Sequence, residues 1–205
     1  EYFGFDGWFL NQETEGTEDA PLTAEHAALM REFIQAFKAA AGDSLEIMWY
    51  DSMTESGAMD WQNALTDENK FFIVGDNQEA IADSMFLNFW WTDDDLAPEE
   101  LLKASQAKAQ ELGVDPYDLY AGIDVQANGY DTPIRWDLFA APGQAPYTSL
   151  GLYCPSWTYF SASDFFTDYH ARENRFWVNA EGDPFAATAA TGTDWRGVST
   201  YAIEQ

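Results

Sequence analysis

"SLEIMWYDSM" (44–53) is the stretch that decides the fold. From Leu45 to Tyr50 it is almost continuously apolar and aromatic, and at its C-terminal end it turns polar, in "YDSM". A strand of that kind is buried on both faces, as in a parallel sheet covered by helices. Immediately before it lies a helix, announced by Pro21 and Thr23 and closed by Gly42 as its C-cap. Its apolar residues Met30, Phe33, Ile34, Phe37, Ala40 and Ala41 follow the i, i+3, i+4, i+7 spacing of one helical face. Before the helix, residues 5–12 form another β-rich run, bounded by Gly4 and a polar loop. Strand, helix, strand is the pattern of a parallel crossover.

The same unit recurs downstream. "MFLNFWW" (85–91) reads as a third strand, followed by a helix from Pro98 to Leu112 ending at Gly113. "LYAGIDVQ" (119–126) and "SLGLYC" (149–154) read as a fourth and a fifth, with a helix over roughly 162–175 after them. The strand ends read "NQE", "YDSM", "NFWW", "DVQ" and "CPSW". Polar and aromatic residues gathered there match the C-terminal face that carries the active site in (β/α)₈ TIM barrels. Such a barrel takes about 250 residues. The chain starts just before a strand and ends inside a helical stretch, "WRGVSTYAIEQ" (195–205). The expectation is therefore a single domain over residues 1–205, a partial barrel of about five strands. The alternative is a complete, smaller open α/β sheet.

Composition narrows the partners. The 205 residues are 46% hydrophobic and 17% aromatic, enough for a core of about one domain. Nine Lys and Arg against 36 Asp and Glu leave a formal charge of −27. A surface so acidic repels a phosphate backbone, and no basic patch offsets it, so nucleic acid is excluded as a partner. Insertion into a membrane is excluded as well, because no apolar run approaches the roughly 20 residues a span needs. The one cysteine, Cys154, rules out an internal disulfide and a cysteine-based zinc cluster. It reads as a small filler in an apolar strand. His26 and His170 have no partner at metal-ligand or triad spacing, and no Gly-rich phosphate loop is present. No metal and no cofactor is implied, and nothing sets an oligomeric state.

Candidate chemistry begins at the first strand end. Alternate residues of a strand share a face, so Gly7, Phe9, Asn11 and Glu13 point one way and Trp8 and Leu10 the other. Residues two apart on a strand are separated by roughly 6.5 Å, within reach of one sugar ring. Glu13 suits a general acid toward a glycosidic oxygen if its surroundings keep it protonated. Asn11 is neither a nucleophile nor a base, so the second group of the usual carboxylate pair is missing. A 2-acetamido sugar can supply it, because its own carbonyl oxygen can attack the anomeric carbon. On the residues alone, N-x-E reads more readily as a loop start.

Several longer segments bear on that choice. "YFGFDGWFLNQETEG", "IMWYDSMTESGAMDWQNALTDENKFF", "FLNFWW", "YAGIDVQANGYDT" and "SLGLYCPSWTYF" strongly resemble the endo-β-N-acetylglucosaminidases of glycoside hydrolase family 85. The likeness runs in the same order through nearly the whole chain. It implies a (β/α)₈ barrel that cuts between the two N-acetylglucosamines in the core of an N-linked glycan. Retention through an oxazoline intermediate, and frequently transglycosylation, are also implied. By resemblance, Glu13 matches the acid/base, Asn11 the amide that orients the acetamido group, and Tyr50 a tyrosine near that group and the intermediate. Trp61 resembles an aromatic lining the acceptor side, while Phe89 and Trp90 match aromatic positions around the cleft.

Other residues are weighed by position. Trp157, past the fifth strand, reads either as a sugar platform or as packing. Asp124 and Gln126 alternate onto one face at a strand end, where they either touch sugar hydroxyls or brace those that do. Asp51, beside Tyr50, reads as hydrogen-bonded support. A chitinase-like hydrolase is an alternative, but it would want an acid where Asn11 stands. A non-catalytic sugar-binding barrel would be expected to have lost the acid–amide pair, and an incomplete barrel could hold the residues without forming a cleft. The acidity fits a bacterial or salt-adapted source, so the expected location is extracellular or cell-surface, with the cytoplasm as alternative.

Overall fold

The computed structural model describes residues 3–42, 44–128, 134–142, 144–162, 166–178 and 198. In chain order the elements are β1 (Gly7–Leu10), a two-stranded ribbon of β2 (Gly16–Thr17) and β3 (Ala20–Pro21), α1 (Ala24–Ala41), β4 (Glu46–Tyr50) and β5 (Ser84–Leu87). There follow α2 (Leu101–Leu112), β6 (Leu119–Asp124), α3 (Val125–Asn128), α4 (Trp136–Phe139), β7 (Ser149–Tyr153), α5 (Trp157–Phe160) and α6 (Phe166–Val178). The helix expected over 195–205 falls outside the described residues, Val198 apart.

The main sheet has the order β1-β4-β5-β6-β7, and the β1–β4, β4–β5 and β5–β6 pairs are parallel. Its strands stand side by side in the order of the chain. A doubly wound open sheet reverses its order at a switch point. A (β/α)₈ barrel does not, and this winding is the barrel's.

α1 forms because its N-terminus is capped from both sides. The backbone N–H of Thr23 donates to His26 Nδ1 at 3.1 Å, and the N–H groups of His26 and Ala27 donate to the Thr23 carbonyl at 2.9 and 3.1 Å. His26 is therefore a capping residue. At the other end Gly42 has φ +72° and donates to the Lys38 carbonyl at 2.9 Å. The helix buries Ala27 and Ile34, while Phe33 stays exposed and stacks on Phe37.

Period-two alternation sorts the strands into two faces. Ile47, Trp49, Met85, Leu87, Leu119 and Ala121 are buried on one, where Trp49 stacks on Phe72 at 4.3 Å. On the other, Phe9, Tyr50 and Phe86 meet, with ring centroids 5.4 to 6.0 Å apart. Phe86 reaches across that face because its neighbours there are glycines. A Cβ on Gly122 would lie 2.5 Å from its ring, and one on Gly151 2.4 Å.

Two strands end earlier than their apolar runs. β5 stops at Leu87, and Trp90–Thr92 form a 3₁₀ turn. Side-chain bonds cause the bend: the Trp90 N–H turns to Asn63 Oδ1, and buried Trp91 donates from Nε1 to the Gly122 carbonyl at 2.9 Å. Cys154 lies just past β7 at φ +52° and is half-buried, so it is not a strand filler. The chain divides into two compact units, one of Glu1–Gly122 with Asp137–Gly151, the other of Ile123–Trp136 with Leu152–Gln205.

Candidate active site

Asn11 and Glu13 lie beyond the last residue of β1, on a segment exposed to solvent. The amide Nδ2 of Asn11 donates to Glu13 Oε2 at 3.2 Å, so the two side chains expected on one face do meet. Between them, Gln12 turns its side chain back on the chain. Its Oε1 accepts from Thr14 N and Oγ1 at 2.8 and 2.7 Å, and its Nε2 donates to the Thr14 carbonyl. The Gln12 carbonyl accepts from Ser52 Oγ at 2.5 Å. This bond fixes the acid–amide segment to the end of β4, two residues past Tyr50.

Tyr50 closes β4 and is buried. Its hydroxyl donates to Asn88 Oδ1 at 2.7 Å. Its ring packs in a cluster with Phe9, Phe86 and Phe89, at centroid distances of 5.6, 6.0 and 6.3 Å. Asn88 is buried at the end of β5, and its Nδ2 has no hydrogen-bond partner among the described residues.

Trp61 and Trp90 come from different loops and meet edge to face, 5.6 Å apart at 64°. Trp90 is 46% exposed. Beneath them sits Asp51, fully buried. Its Oδ2 accepts from Asn63 N at 2.6 Å and its Oδ1 from Asn69 Nδ2 at 2.9 Å. Burial pushes its carboxyl up to about 6, against the pull of donors on Asn69, Asn63, Gln62 and Asn88.

The remaining expected residues belong to the second unit. Asp124 ends β6, and its Oδ1 accepts from Ala127 N at 3.0 Å, which turns the chain into α3. Gln126 is therefore on a helical turn and not on the strand, so its expected alternation with Asp124 does not hold. Trp157 opens α5, 37% exposed, and packs on Phe160 at 5.4 Å. Among the described residues, no group of three or more His, Cys, Asp or Glu could hold a metal ion. None of the described helices is long and apolar enough to cross a membrane.

Sequence reasoning passed over Ser52, Asn63, Asn69 and Asn88, the residues that hold this arrangement in place. All are short polar side chains just past the ends of β4 and β5 or in the loop between. That position is the one signal the sequence carried for them.

Comparison with known proteins adds to the geometry. A family model described as Glycosyl hydrolase family 85 matches residues 1–205. Over 183 residues the chain is 28% identical to "Cytosolic endo-beta-N-acetylglucosaminidase 2" of Arabidopsis thaliana, covering 87% of this chain and 23% of that protein. It is also 28% identical over 185 residues to "Cytosolic endo-beta-N-acetylglucosaminidase" of Mus musculus, covering 86% and 22%. The crystal structure of the Endo-D glycoside hydrolase domain from Streptococcus pneumoniae R6 superposes with a TM-score of 0.77 at 28% identity. That match covers 97% of this chain and 30% of the other. The chain thus spans about a quarter of the length of the curated relatives it matches (23% and 22%), and the fold is a partial (β/α)₈ barrel. The expected extracellular or cell-surface location is overturned, because these curated relatives carry cytosolic names. Surface carboxylates govern repulsion and solubility and hold no address for a compartment.

Proposed function

The chain belongs to glycosyl hydrolase family 85, and from that we propose that it is part of the catalytic barrel of an endo-β-N-acetylglucosaminidase. Its substrate is the chitobiose core of an N-linked glycan on a glycoprotein or glycopeptide, cut between the two N-acetylglucosamines. The names of the relatives favour a cytosolic setting. Residues 1–205 are read as one piece of a single catalytic domain.

The observation that carries this reading is the hydrogen bond from Asn11 Nδ2 to the Glu13 carboxyl at a strand's C-terminal end. An amide that donates to the acid through Nδ2 keeps Oδ1 as an acceptor. That oxygen suits the N–H of a 2-acetamido group and would turn the acetamido carbonyl toward C1. In the first step the carbonyl oxygen bonds to C1 while the C1–O bond to the leaving sugar breaks. Glu13 delivers its proton to the departing oxygen, and an oxazolinium ion remains, its N–H still held by Asn11 Oδ1. In the second step Glu13 takes a proton from water, whose oxygen bonds to C1 and reopens the ring with retained configuration. A sugar hydroxyl in place of water gives transglycosylation.

Tyr50, its hydroxyl held by Asn88, is proposed as the tyrosine near the acetamido group that the resemblance implies. Trp61, Trp90 and Phe89 serve as apolar faces for sugar rings. Asp124, Gln126 and Trp157 are proposed as outlying contacts. The test is the product left on a high-mannose glycopeptide by the full-length protein. A single N-acetylglucosamine on the peptide, absent with Glu13→Gln, is the expected result. A folded protein that binds the glycan and leaves it whole would remove the catalytic reading.

A further inference from the structure

Trp61 stands in the loop after β4 and Trp90 in the turn after β5, yet the two rings meet at one defined angle. A support shared by both loops would hold that angle. Asn63 supplies it. Its Oδ1 accepts the Trp90 backbone N–H at 3.1 Å, and its Nδ2 donates to the Trp61 carbonyl at 3.1 Å. Asn63 is itself buried and sits at φ +56°, a left-handed conformation that asparagine tolerates better than most residues.

Asn63 is in turn held by Asp51, through its backbone N–H at 2.6 Å. The second Asp51 oxygen takes Asn69 Nδ2. Asn69 also donates to the Ala64 carbonyl at 2.7 Å and accepts from Thr66 N at 2.8 Å, which closes the loop on itself. Asp51 is anchored to the sheet, because its own N–H donates to the Phe86 carbonyl at 2.9 Å. A carboxylate is acceptor-only with room for several donors, so it can gather these N–H groups where an amide would present two hydrogens of its own.

We propose that Asp51 and Asn63 are positioning residues which, through Trp61 O and Trp90 N, set the angle of the Trp61–Trp90 corner against a sugar ring. The sugar's place there rests on the functional reading above; the control of the angle does not.

Two readouts separate these claims. Asn63→Gly keeps the left-handed turn and the bond to Asp51 while deleting both links to the tryptophans. Asp51→Asn weakens the same support from below. In the full-length protein labelled with 5-fluorotryptophan, the Trp61 and Trp90 signals are assigned by Trp61→Phe and Trp90→Phe among the nine tryptophans of the chain. Both variants should shift both signals and leave the remaining tryptophan signals in place. Asn63→Gly should also raise KM for the glycopeptide about tenfold with kcat changed less than twofold, the pattern of lost binding alone.

Unmoved signals in folded Asn63→Gly would overturn the proposal. So would an unchanged KM where Trp61→Ala and Trp90→Ala raise it, and the function would then still stand. If the wild-type protein cuts no glycopeptide, the functional reading falls, and the fluorine signals alone decide whether Asn63 sets the corner. Should Asp51→Asn fail to fold, Asn63→Gly decides by itself.

Discussion

Tyr50 commits its phenolic proton to Asn88 Oδ1 at 2.7 Å, and both side chains are buried. The two residues end neighbouring strands, so the bond locks the hydroxyl of one strand end to the backbone frame of the next. Tyr50→Phe would leave a buried acceptor on Asn88 unmatched, and Asn88→Ala would take away the acceptor of the Tyr50 hydroxyl. Each is expected to cost about 1–3 kcal/mol of stability. The double variant should cost less than the sum, by roughly 1 kcal/mol in a urea-denaturation cycle. Strict additivity would mean the bond contributes nothing.

Glu13 and Asn11 are predicted to fail in different ways. Glu13→Gln removes the transferable proton but keeps the shape, and should lower kcat by roughly 10²- to 10⁴-fold with binding retained. A synthetic oxazoline donor, whose formation needs no acid, should bypass the first step but not the second, in which Glu13 takes the proton from water. Asn11→Ala keeps the acid and loses the acetamido contact, so it should cleave slowly even with an activated leaving group. Rates on a glycopeptide and on an aryl glycoside with a good leaving group separate the two. If both variants recover equally on the activated substrate, the division of roles between acid and amide is wrong.

Asp51 imposes a pH dependence whose sign follows from burial. Its carboxyl ordinarily titrates at 3.8 and is pushed up to about 6 in the fold, where its partners Asn69, Asn63, Gln62 and Asn88 are all neutral. The folded state then holds the proton more tightly than the unfolded chain. Stability from this group is therefore greatest below about 4, falls as pH rises toward about 6, and levels off above. The span corresponds to roughly 3 kcal/mol. Other carboxylates cancel when wild type is compared with Asp51→Asn. The stability difference between them, measured by chemical denaturation, should shrink in that direction from pH 4 to pH 7. A flat difference would mean that the four donors offset the burial completely.

How far the sequence could be read depends on the range of each interaction. The strands and α1 were legible because alternation, helical spacing and caps such as Thr23 and Gly42 act over a few residues. Asn11 and Glu13 were legible as a pair for the same reason, being two apart. The residues that fix the site act across longer gaps. Asn88 reaches Tyr50 over 38 positions, Asn63 and Asn69 reach Asp51 over 12 and 18, and Ser52 reaches Gln12 over 40. No local pattern reports such bonds. The strand ends failed where a side chain captured the backbone, as Asp124 does with Ala127 before Gln126 can extend the strand.

The Phe86 ring gives a last test, on the face that carries the site. Its room comes from Gly122 and Gly151, and a Cβ on Gly151 would stand 2.4 Å from Cε2. No real Cβ contact is so short, so either the ring or the β7 backbone must move. Gly151→Ala is expected to destabilise the protein by roughly 1–3 kcal/mol, the usual cost of overpacking. Phe86→Leu removes the aromatic edge and should recover much of that loss in the double variant, though alone it leaves a cavity. Phe86 also touches Phe9 at 5.4 Å and Phe89 at 5.7 Å, so displacing it should disturb Tyr50's surroundings and lower kcat in Gly151→Ala. Thermal denaturation of the four proteins decides the matter. If Phe86→Leu fails to rescue Gly151→Ala, the glycine is required by its own strand and not by the ring.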